Sequence, residues 1–247
     1  MTRPILIAHR GGALLWPENS LTAFRQALEL PVEEIECDIH PSADGVPMVI
    51  HDPTLDRTTL GSGPVTARTA AELAALPLRA APAEGVPTLA ALVALVAPTG
   101  RRLRVEVKAD AAHRPYPGLL EAALAVLAGA GMLGRSVVIA FDPATAAQAA
   151  AVGGLAGTVW LLSRRVLSTL GPAGVVAEAR RIGVPEVDCA LREATPALQA
   201  AVRAAGLRFG VWGADRREEI ERALALGVDA LATDDPVLAL RLRAGAG

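Results

Sequence analysis

The chain has 247 residues and a formal net charge of −2, with 52% hydrophobic and only 3% aromatic residues. This composition supports a sizeable aliphatic core and excludes a disordered chain, and the absence of a basic excess argues against nucleic acid as a partner. The length allows one large α/β domain or two small ones.

The N-terminal stretch MTRPILIAHRGG contains the first predicted strand, an apolar run that passes directly into polar residues. The run is too short for the apolar region of a signal peptide, and no uninterrupted apolar stretch of about 18 residues occurs in the sequence. The two cysteines, Cys37 and Cys189, lack the spacing of a disulfide framework, which indicates reduced thiols. We therefore expect a cytoplasmic protein without stable membrane insertion; its oligomeric state stays open.

Short β-branched or aliphatic runs alternate along the chain with longer segments of helical periodicity. Most of these runs lie about 20 to 35 residues apart, which is the repeat of βα units. The predicted strands are Ile5–His9, Glu34–Ile39, Val46–Ile50, Leu103–Lys108, Val137–Phe141, Thr158–Leu162, Glu186–Ala190, Arg208–Trp212 and Asp229–Thr233.

The intervening segments carry helical signals. One apolar stripe at positions i, i+3, i+4 and i+7 consists of Leu120, Ala123, Leu124 and Leu127. Three helix starts combine an N-cap oxygen with a following proline, a pair that favours the first helical turn. These starts are Asp142-Pro143, Thr195-Pro196 and Asp235-Pro236.

Repeated strand–helix units over about 250 residues predict a (β/α)8 TIM barrel. The nine predicted strands exceed the barrel by one, and Val46–Ile50 is the extra strand. Only the short HPSADG stretch separates it from Glu34–Ile39, which leaves no room for a crossover helix. We therefore predict one barrel domain over residues 1–247, with a small insertion over about 40–88 after the second barrel strand. A doubly wound open sheet is the alternative, but no GxGxxG or P-loop motif supports it.

The predicted insertion contains two recognisable segments. The stretch DRTTLGSGPVTART (56–69) is rich in turn-forming residues and predicts a surface loop. Thr69 and Glu72 then have the spacing of a capping box, which predicts the start of a short helix.

Acidic residues lie in two of the predicted barrel strands. Because side chains alternate along a strand, Glu36 and Asp38 share one face, whereas Cys37 points to the helix layer. Glu106 and Lys108 share a face in the same way. The carboxyl ends of the strands form the floor of the active site in a TIM barrel, so we expect these polar groups to converge there.

Carboxylates that converge repel one another, and a divalent cation between them is the simplest remedy. Oxygen ligands from Glu36, Asp38 and Glu106 suit Mg²⁺ or Ca²⁺, and the sequence does not choose between the two. Arg10 and Lys108 then remain available for an anion such as a phosphate group. The sequence therefore predicts a phosphoryl site at the barrel mouth.

Two histidines follow predicted strands at the same end of the barrel. His9 and His51 would supply an acid and a base whose ordinary pKa lies close to neutrality. We expect His9 at the point where the first strand opens into the barrel mouth. Gly11 and Gly12 would allow a sharp turn there and a close approach of the substrate.

Each of these residues also has a plainer interpretation when it is taken alone. His40 and His113 have no motif around them and are expected to be structural or exposed. The Glu36 and Asp38 pair could be a solvated strand edge, and Trp212 could belong to the core. The functional interpretation depends on several such segments meeting at one end of the fold.

At these residues the sequence resembles the glycerophosphodiester phosphodiesterase family, and the resemblance spans nearly the whole chain. Its first 60 residues or so carry the most specific part, and the region from about 143 to 205 is generic for a barrel. The matching segments are AHRGG (8–12), PENSLTAF (17–24), IECDIHPSADGVPMVIHDPTLDRTT (35–59), VEVK (105–108), VW (211–212) and GVDALATDDP (227–236).

The resemblance implies a TIM barrel with an insertion after the second strand and a divalent metal held by residues matching Glu36, Asp38 and Glu106. It implies that His9 and His51 are the general acid–base pair. Of the two, we expect His9 to be the base and His51 the acid. Arg10 and Lys108 match the positions that hold the phosphate, Asn19 would order the loop beside the metal, and Trp212 would help to wall the glycerol pocket. A departure follows Trp212, where Gly213 and Asp215 replace a threonine and an asparagine, which predicts a smaller and differently charged pocket wall.

The expected reaction is metal-dependent hydrolysis of a glycerophosphodiester to glycerol 3-phosphate and an alcohol. The nucleophile would be water or the neighbouring glycerol hydroxyl of the substrate. One alternative is phospholipase D-like hydrolysis of lysophospholipids at the same site, for which LAALPL (73–78) could supply an apolar surface. A second alternative is a non-catalytic phosphate-binding barrel.

Overall fold

The protein, described over residues 3–245 by a computed structural model, is a closed barrel of parallel strands surrounded by helices. Within these residues eight strands pair side by side in parallel, and the last pairs with the first, which confirms the predicted TIM barrel. The strands in chain order are β1 (Ile5–Ala8), β2 (Glu34–Pro41), β3 (Pro47–Val49), β4 (Pro77–Leu78), β5 (Ala81–Gly85), β6 (Arg102–Val107), β7 (Ser136–Ala140), β8 (Gly157–Leu162), β9 (Glu186–Ala190), β10 (Arg208–Trp212) and β11 (Ala230–Thr233). The barrel consists of β1, β2 and β6 to β11.

A helix follows each barrel strand. The helices are α1 (Leu21–Leu28), α2 (Ala70–Ala74), α3 (Leu89–Val96), α4 (Leu119–Gly129), α5 (Pro143–Ala150), α6 (Arg164–Ile182), α7 (Pro196–Ala204), α8 (Arg217–Leu226) and α9 (Pro236–Gly245). The three predicted N-caps are confirmed, because the side chains of Asp142, Thr195 and Asp235 each accept a hydrogen bond from the first turn of their helix. None of the helices within residues 3–245 has both the length and the apolar character that a membrane crossing needs.

The insertion lies between β2 and α3. Its strand β3 pairs with β2 in antiparallel orientation, which confirms that the extra predicted strand is not part of the barrel. The capping box of Thr69 and Glu72 is present at the start of α2. The insertion has a small apolar core of its own, formed by Met48, Ile50, Leu55, Val65, Leu73, Leu78 and Val86.

The LAALPL segment does not form the apolar surface that a lysophospholipid was expected to need. Its residues Leu73 and Leu78 are buried in the core of the insertion, and Leu76 packs against that core. The leucines of this segment therefore anchor the insertion, and only the small side chains of Ala74 and Ala75 are exposed.

The main core fills the space between the barrel and the helices. Cys37 points into it, as strand alternation predicts, alongside Phe24 of α1 and Leu92 of α3. Cys37 and Cys189 are both buried and unpaired. Aliphatic side chains from both layers dominate this core, in keeping with the low aromatic content.

A buried charge cluster, which sequence reasoning did not predict, occupies the barrel interior. The guanidinium of Arg104 on β6 contacts three carboxylates, with Nε 2.8 Å from Glu34 Oε2, Nη1 2.9 Å from Asp188 Oδ2 and Nη2 3.0 Å from Glu186 Oε1. Burial and the neighbouring Glu186 carboxylate raise the pKa of Asp188 well above its ordinary value. Arg104 is therefore the fully buried cation at the centre of this cluster, and the partly exposed Arg102 and Arg208 add a second contact to Glu34 and to Glu186.

Arg104→Ala should destabilise the fold by about 3–5 kcal/mol, because it leaves buried carboxylates without their partner. The matched control is Arg102→Ala, since Arg102 contacts the same Glu34 at 3.2 Å from a half-buried position. That change should cost about 1 kcal/mol or less. Urea unfolding of both variants measures the difference, and equal losses would show that the cluster does not depend on Arg104.

Candidate active site

The site begins where β1 ends at Ala8 and the chain enters a short 3₁₀ turn, His9–Gly11. Arg10 has a φ of 51°, a left-handed conformation that is strained for a residue with a side chain. Its backbone N–H donates to Glu36 Oε2 at 2.9 Å, which holds the turn in place. This turn directs His9 and Arg10 into the barrel mouth.

Gly11 and Gly12 follow with φ values of 81° and 95°, which confirms the predicted sharp turn. These glycines were expected to allow a close approach of the substrate, but the atoms that lie close to them belong to the protein itself. A Cβ on Gly11 would lie 2.9 Å from the Ala23 Cβ of α1, and one on Gly12 would lie 3.0 Å from the Trp16 ring. The glycines therefore let the turn pack against α1 and Trp16, and packing inside the protein is sufficient to explain them.

The carboxylates of Glu36, Asp38 and Glu106 converge at the barrel mouth. Each offers an oxygen atom, and these atoms lie within 4.8 Å of one another. All three residues are buried. The Lys108 ammonium lies beside them, 2.7 Å from Asp38 Oδ1 and 2.6 Å from Glu106 Oε1. The four residues thus meet as strand alternation predicts.

These carboxylates differ in how well their charge is compensated. Burial raises the pKa of Asp38, but the Lys108 ammonium and the Arg10 guanidinium outweigh it and hold that pKa well below its ordinary value. Burial and the charge of Asp38 raise the pKa of Glu36. Glu36 Oε1 is buried and has no hydrogen-bond partner among residues 3–245. A set of oxygen donors with an uncompensated member fits a hard divalent cation.

The loop after the 3₁₀ turn supports this cluster from one side. Asn19, with a φ of 55°, donates from Nδ2 to Asp38 Oδ2 at 2.8 Å. Its neighbour Glu18 accepts a hydrogen bond from Arg10 Nη1 at 3.2 Å. Arg10 Nε lies 3.3 Å from Asp38 Oδ2. Asn19 therefore orients an acidic residue of the cluster, and Glu18 orients the arginine.

His9 is held by a carboxylate that sequence reasoning did not single out. Its Nδ1 lies 2.6 Å from Asp234 Oδ1, and its Nε2 lies 3.9 Å from Glu36 Oε2. Burial lowers the pKa of His9, but the carboxylates of Glu36 and Asp234 outweigh it and raise the pKa to about 9. Asp234 follows the last barrel strand within the TDDP stretch, so its position at a strand end was the available signal.

His51 belongs to the insertion and lines the same cavity as His9. Its Nδ1 lies 2.7 Å from Asp52 Oδ1, and its carbonyl oxygen accepts from His40 Nε2 at 3.0 Å. Burial lowers the pKa of His40 to about 4, which keeps this imidazole neutral. His40 is therefore structural, as expected, and His113 is exposed.

A cavity of about 120 Å³ is lined by all of the predicted catalytic, substrate-binding and metal-ligating residues except Asp38. Trp212 and Phe141 form one wall, with ring centroids 5.6 Å apart in an edge-to-face arrangement. The cavity continues into a larger one of about 690 Å³ over the carboxyl ends of β6 to β8. Residues lining the smaller cavity include His9, Arg10, Glu36, His51, Glu106, Lys108 and Trp212.

The two residues after Trp212 that differ from the family pattern, Gly213 and Asp215, are not part of this wall. Neither Gly213 nor Asp215 is among the residues that line the cavity. Asp215 Oδ1 instead accepts a hydrogen bond from the backbone N–H of Asp234 at 2.8 Å. Asp215 therefore supports the residue that holds His9, and its carboxylate does not line the cavity itself.

The chain is similar to known proteins in both sequence and structure. The model of the "Glycerophosphoryl diester phosphodiesterase family" matches residues 9–238. A glycerophosphodiester phosphodiesterase from Caldanaerobacter subterraneus is 28% identical, covering 97% of this chain and 98% of the relative. A crystal structure from Agrobacterium tumefaciens, assigned to the same family, is 33% identical with a TM-score of 0.95 and covers 99% of both chains. An Oleispira antarctica phosphodiesterase, solved with its product sn-glycerol-3-phosphate, shares the fold at 21% identity and a TM-score of 0.80, covering 97% of this chain and 96% of its own.

Proposed function

The chain belongs to the glycerophosphoryl diester phosphodiesterase family and is thus an enzyme of the phosphodiesterase class, and we propose that it hydrolyses glycerophosphodiesters to glycerol 3-phosphate and an alcohol. The observation that carries the proposal is the meeting of three buried carboxylates, two cationic side chains and two imidazoles at one end of the barrel, where all of them except Asp38 line one cavity. The product bound by the Oleispira antarctica phosphodiesterase of the same fold supports the same reaction. The buried, unpaired cysteines suit a reducing compartment, so we place the enzyme in the cytoplasm.

Glu36, Asp38 and Glu106 would hold the divalent cation, Mg²⁺ or Ca²⁺. When bound there, such a cation supplies positive charge that stabilises the negative charge developing on the phosphoryl oxygens. The uncompensated Glu36 carboxylate and the oxygen-only donor set support this assignment. Asn19 keeps the Asp38 carboxylate oriented through its 2.8 Å hydrogen bond.

Arg10 and Lys108 would bind the phosphate group of the substrate. Both side chains line the cavity, and both are anchored by carboxylates that keep them charged. A planar guanidinium matches two phosphate oxygens at once, whereas the ammonium acts as a point charge. Trp212 and Phe141 would bound the glycerol moiety with apolar surface.

Each imidazole would carry one proton transfer, with His9 as the base and His51 as the acid. Asp234 accepts from His9 Nδ1, so Nε2 is the atom that faces the reacting group. Asp52 orients His51 in the same way. Glu36, with its charge shared with the cation, would attract the His9 proton less strongly, which would lower the pKa of His9 from about 9 towards the range that a proton acceptor needs.

A substrate panel tests the proposed reaction against its alternatives. The protein, supplied with Mg²⁺ or Ca²⁺, should release glycerol 3-phosphate from glycerophosphocholine and glycerophosphoethanolamine. Faster cleavage of lysophosphatidylcholine would favour the lysophospholipase D-like alternative. Phosphate binding without turnover of any diester would indicate a non-catalytic barrel and would contradict the proposal.

Asp234→Asn should lower kcat by about a hundredfold while leaving KM within a few-fold, because an amide cannot stabilise the same tautomer and charge of His9. The matched control is Asp229→Asn, whose carboxylate lies outside the cavity and pairs with Arg203 at 2.9 Å. Steady-state kinetics of both variants gives the comparison. If Asp234→Asn had the same kcat as the control, Asp234 would have no role in the reaction.

A further inference from the structure

Arg57, in the insertion, lies between two carboxylates and forms a two-pronged contact with each. Its Nε lies 2.7 Å from Asp52 Oδ2 and its Nη2 lies 3.1 Å from Asp52 Oδ1. On the other side, Nη1 lies 2.5 Å from Glu18 Oε2 and Nη2 lies 2.8 Å from Glu18 Oε1. Such planar, bidentate pairing fixes the orientation of both carboxylates as well as their positions.

Both carboxylates continue to residues of the proposed reaction. Asp52 Oδ1 lies 2.7 Å from Nδ1 of His51. Glu18 Oε1 accepts from Nη1 of Arg10 at 3.2 Å. One guanidinium therefore connects the proposed acid, which the insertion carries, to the proposed phosphate ligand, which follows β1.

Electrostatics agree with this arrangement. The Arg57 hydrogen bonds hold the pKa of Asp52 at about 2, despite partial burial. Burial raises the pKa of Glu18, but Arg57 and Arg10 outweigh it and lower that pKa. Both groups stay ionised near neutral pH, so Asp52 accepts the Nδ1–H of His51 and leaves Nε2 as the atom available to the substrate.

We propose that Arg57 is a positioning residue that fixes the distance and orientation between His51 and Arg10 across the cavity. This inference rests on the proposed function, because Arg57 would act through His51 and Arg10, whose roles belong to that function. The Arg57 side chain is 47% exposed, so solvent screens its ion pairs, and we expect its removal to change global stability little. A loss of turnover without a loss of stability would therefore identify positioning.

Arg57→Gln should lower kcat for glycerophosphocholine about tenfold and raise KM several-fold, while the thermal midpoint stays close to that of the wild type. The decrease in kcat reflects a less well placed acid, which is part of the roughly 10²–10⁴-fold contribution of general acid–base catalysis. The increase in KM reflects a less well held Arg10. Arg57→Lys should recover only part of the loss, because a point charge cannot form both bidentate pairs.

A matched control and a double variant separate positioning from a structural effect. Arg181→Gln removes another bidentate pair, with Glu178, on an exposed helix far along the chain, and it should leave kcat and KM unchanged. In a His51→Ala background, Arg57→Gln should lower the remaining kcat no more than about twofold, since residues that act as one unit are non-additive. A further tenfold loss in that background would overturn the inference.

Amide hydrogen exchange provides a readout that does not depend on turnover. The Asn19 amide donates to the Arg10 carbonyl at 3.0 Å, and the Leu55 amide donates to the Gly63 carbonyl at 2.9 Å. Both should exchange at least about tenfold faster in Arg57→Gln than in Arg181→Gln, because local opening follows the loss of local contacts. Unchanged exchange at both amides would refute the inference, whereas a wild-type protein that cleaves no diester would instead refute the proposed function.

Discussion

His51→Ala is expected to lower kcat for glycerophosphocholine about 10³-fold, because the departing choline oxygen needs a proton from His51. The loss should be much smaller, within about tenfold, for a glycerophosphodiester whose leaving group is p-nitrophenol, since that anion departs without protonation. Initial rates on both substrates give the comparison. The contrast between the two leaving groups identifies the acid more directly than the loss of activity alone.

The control for this variant is His113→Ala, since His113 is exposed in the loop after β6, where it lines the larger cavity and not the smaller one that holds His51 and Lys108. It should keep the wild-type kcat on both substrates. Equal losses on the two substrates in His51→Ala would contradict the role of His51 as the proton donor. Circular dichroism of each variant verifies that the fold is kept.

Asp38→Asn is expected to abolish tight binding of the divalent cation and to lower kcat by more than about a hundredfold. The expected loss exceeds the roughly 10–100-fold cost of changing a residue that only supports a metal ligand. Asp38 is fully buried between Lys108, Arg10 and Asn19, so the isosteric amide keeps the packing while it removes the charge. Calorimetric titration with Mg²⁺ and with Ca²⁺ measures the affinity.

Asp56→Asn provides the matched control, because Asp56 is exposed in the surface loop of the insertion. It should bind the cation as the wild type does. Should Asp38→Asn fold poorly, Glu106→Gln makes the same test on the neighbouring strand. Wild-type cation affinity in both acidic variants would remove these carboxylates from the metal site.

The barrel could be predicted because it follows from local patterns. Strand runs at a βα spacing are visible in the sequence, and the short HPSADG connection shows that the extra strand cannot be a barrel strand. The residue at which β1 ends was harder to predict from the sequence. It was expected at His9 but lies at Ala8, because Arg10 adopts a left-handed conformation that a hydrogen bond to Glu36 stabilises. A contact between residues 26 positions apart cannot be predicted from a local sequence pattern.

The break inside α6 is a further local feature that went unpredicted. Gly171 has a φ of 60°, and Pro172 follows it within the helix. Both residues disfavour a continuous helix, so the pair was a usable signal. No helix was predicted over Arg164–Ile182, because the apolar periodicity there is weak.

The residues of the site also fall into two groups, those that local patterns predict and those that only the folded chain brings together. Glu36, Asp38, Glu106 and Lys108 could be placed together because strand alternation and barrel geometry determine which side chains face inward. Asp234 could not be assigned to His9 by such reasoning, because 225 residues separate the two. The partners of Arg57 depend in the same way on how the insertion folds over the first barrel loop.

The charge cluster around Arg104 shows a second limit of pattern reasoning. The RVEVK stretch reads as a strand with one charged face, and nothing in it indicates that Arg104 meets carboxylates 70 to 84 residues away. Buried charges need partners from several strands, so their pairing depends on the register of the whole barrel.

We expect the acidic cluster of Glu36, Asp38 and Glu106 to bind one divalent cation that the reaction requires. Protein stripped with EDTA should leave glycerophosphocholine unchanged by ³¹P NMR, and Mg²⁺ or Ca²⁺ added back should restore release of glycerol 3-phosphate as one cation binds per chain. Undiminished release of glycerol 3-phosphate in EDTA, with no cation bound to the protein, would contradict the account.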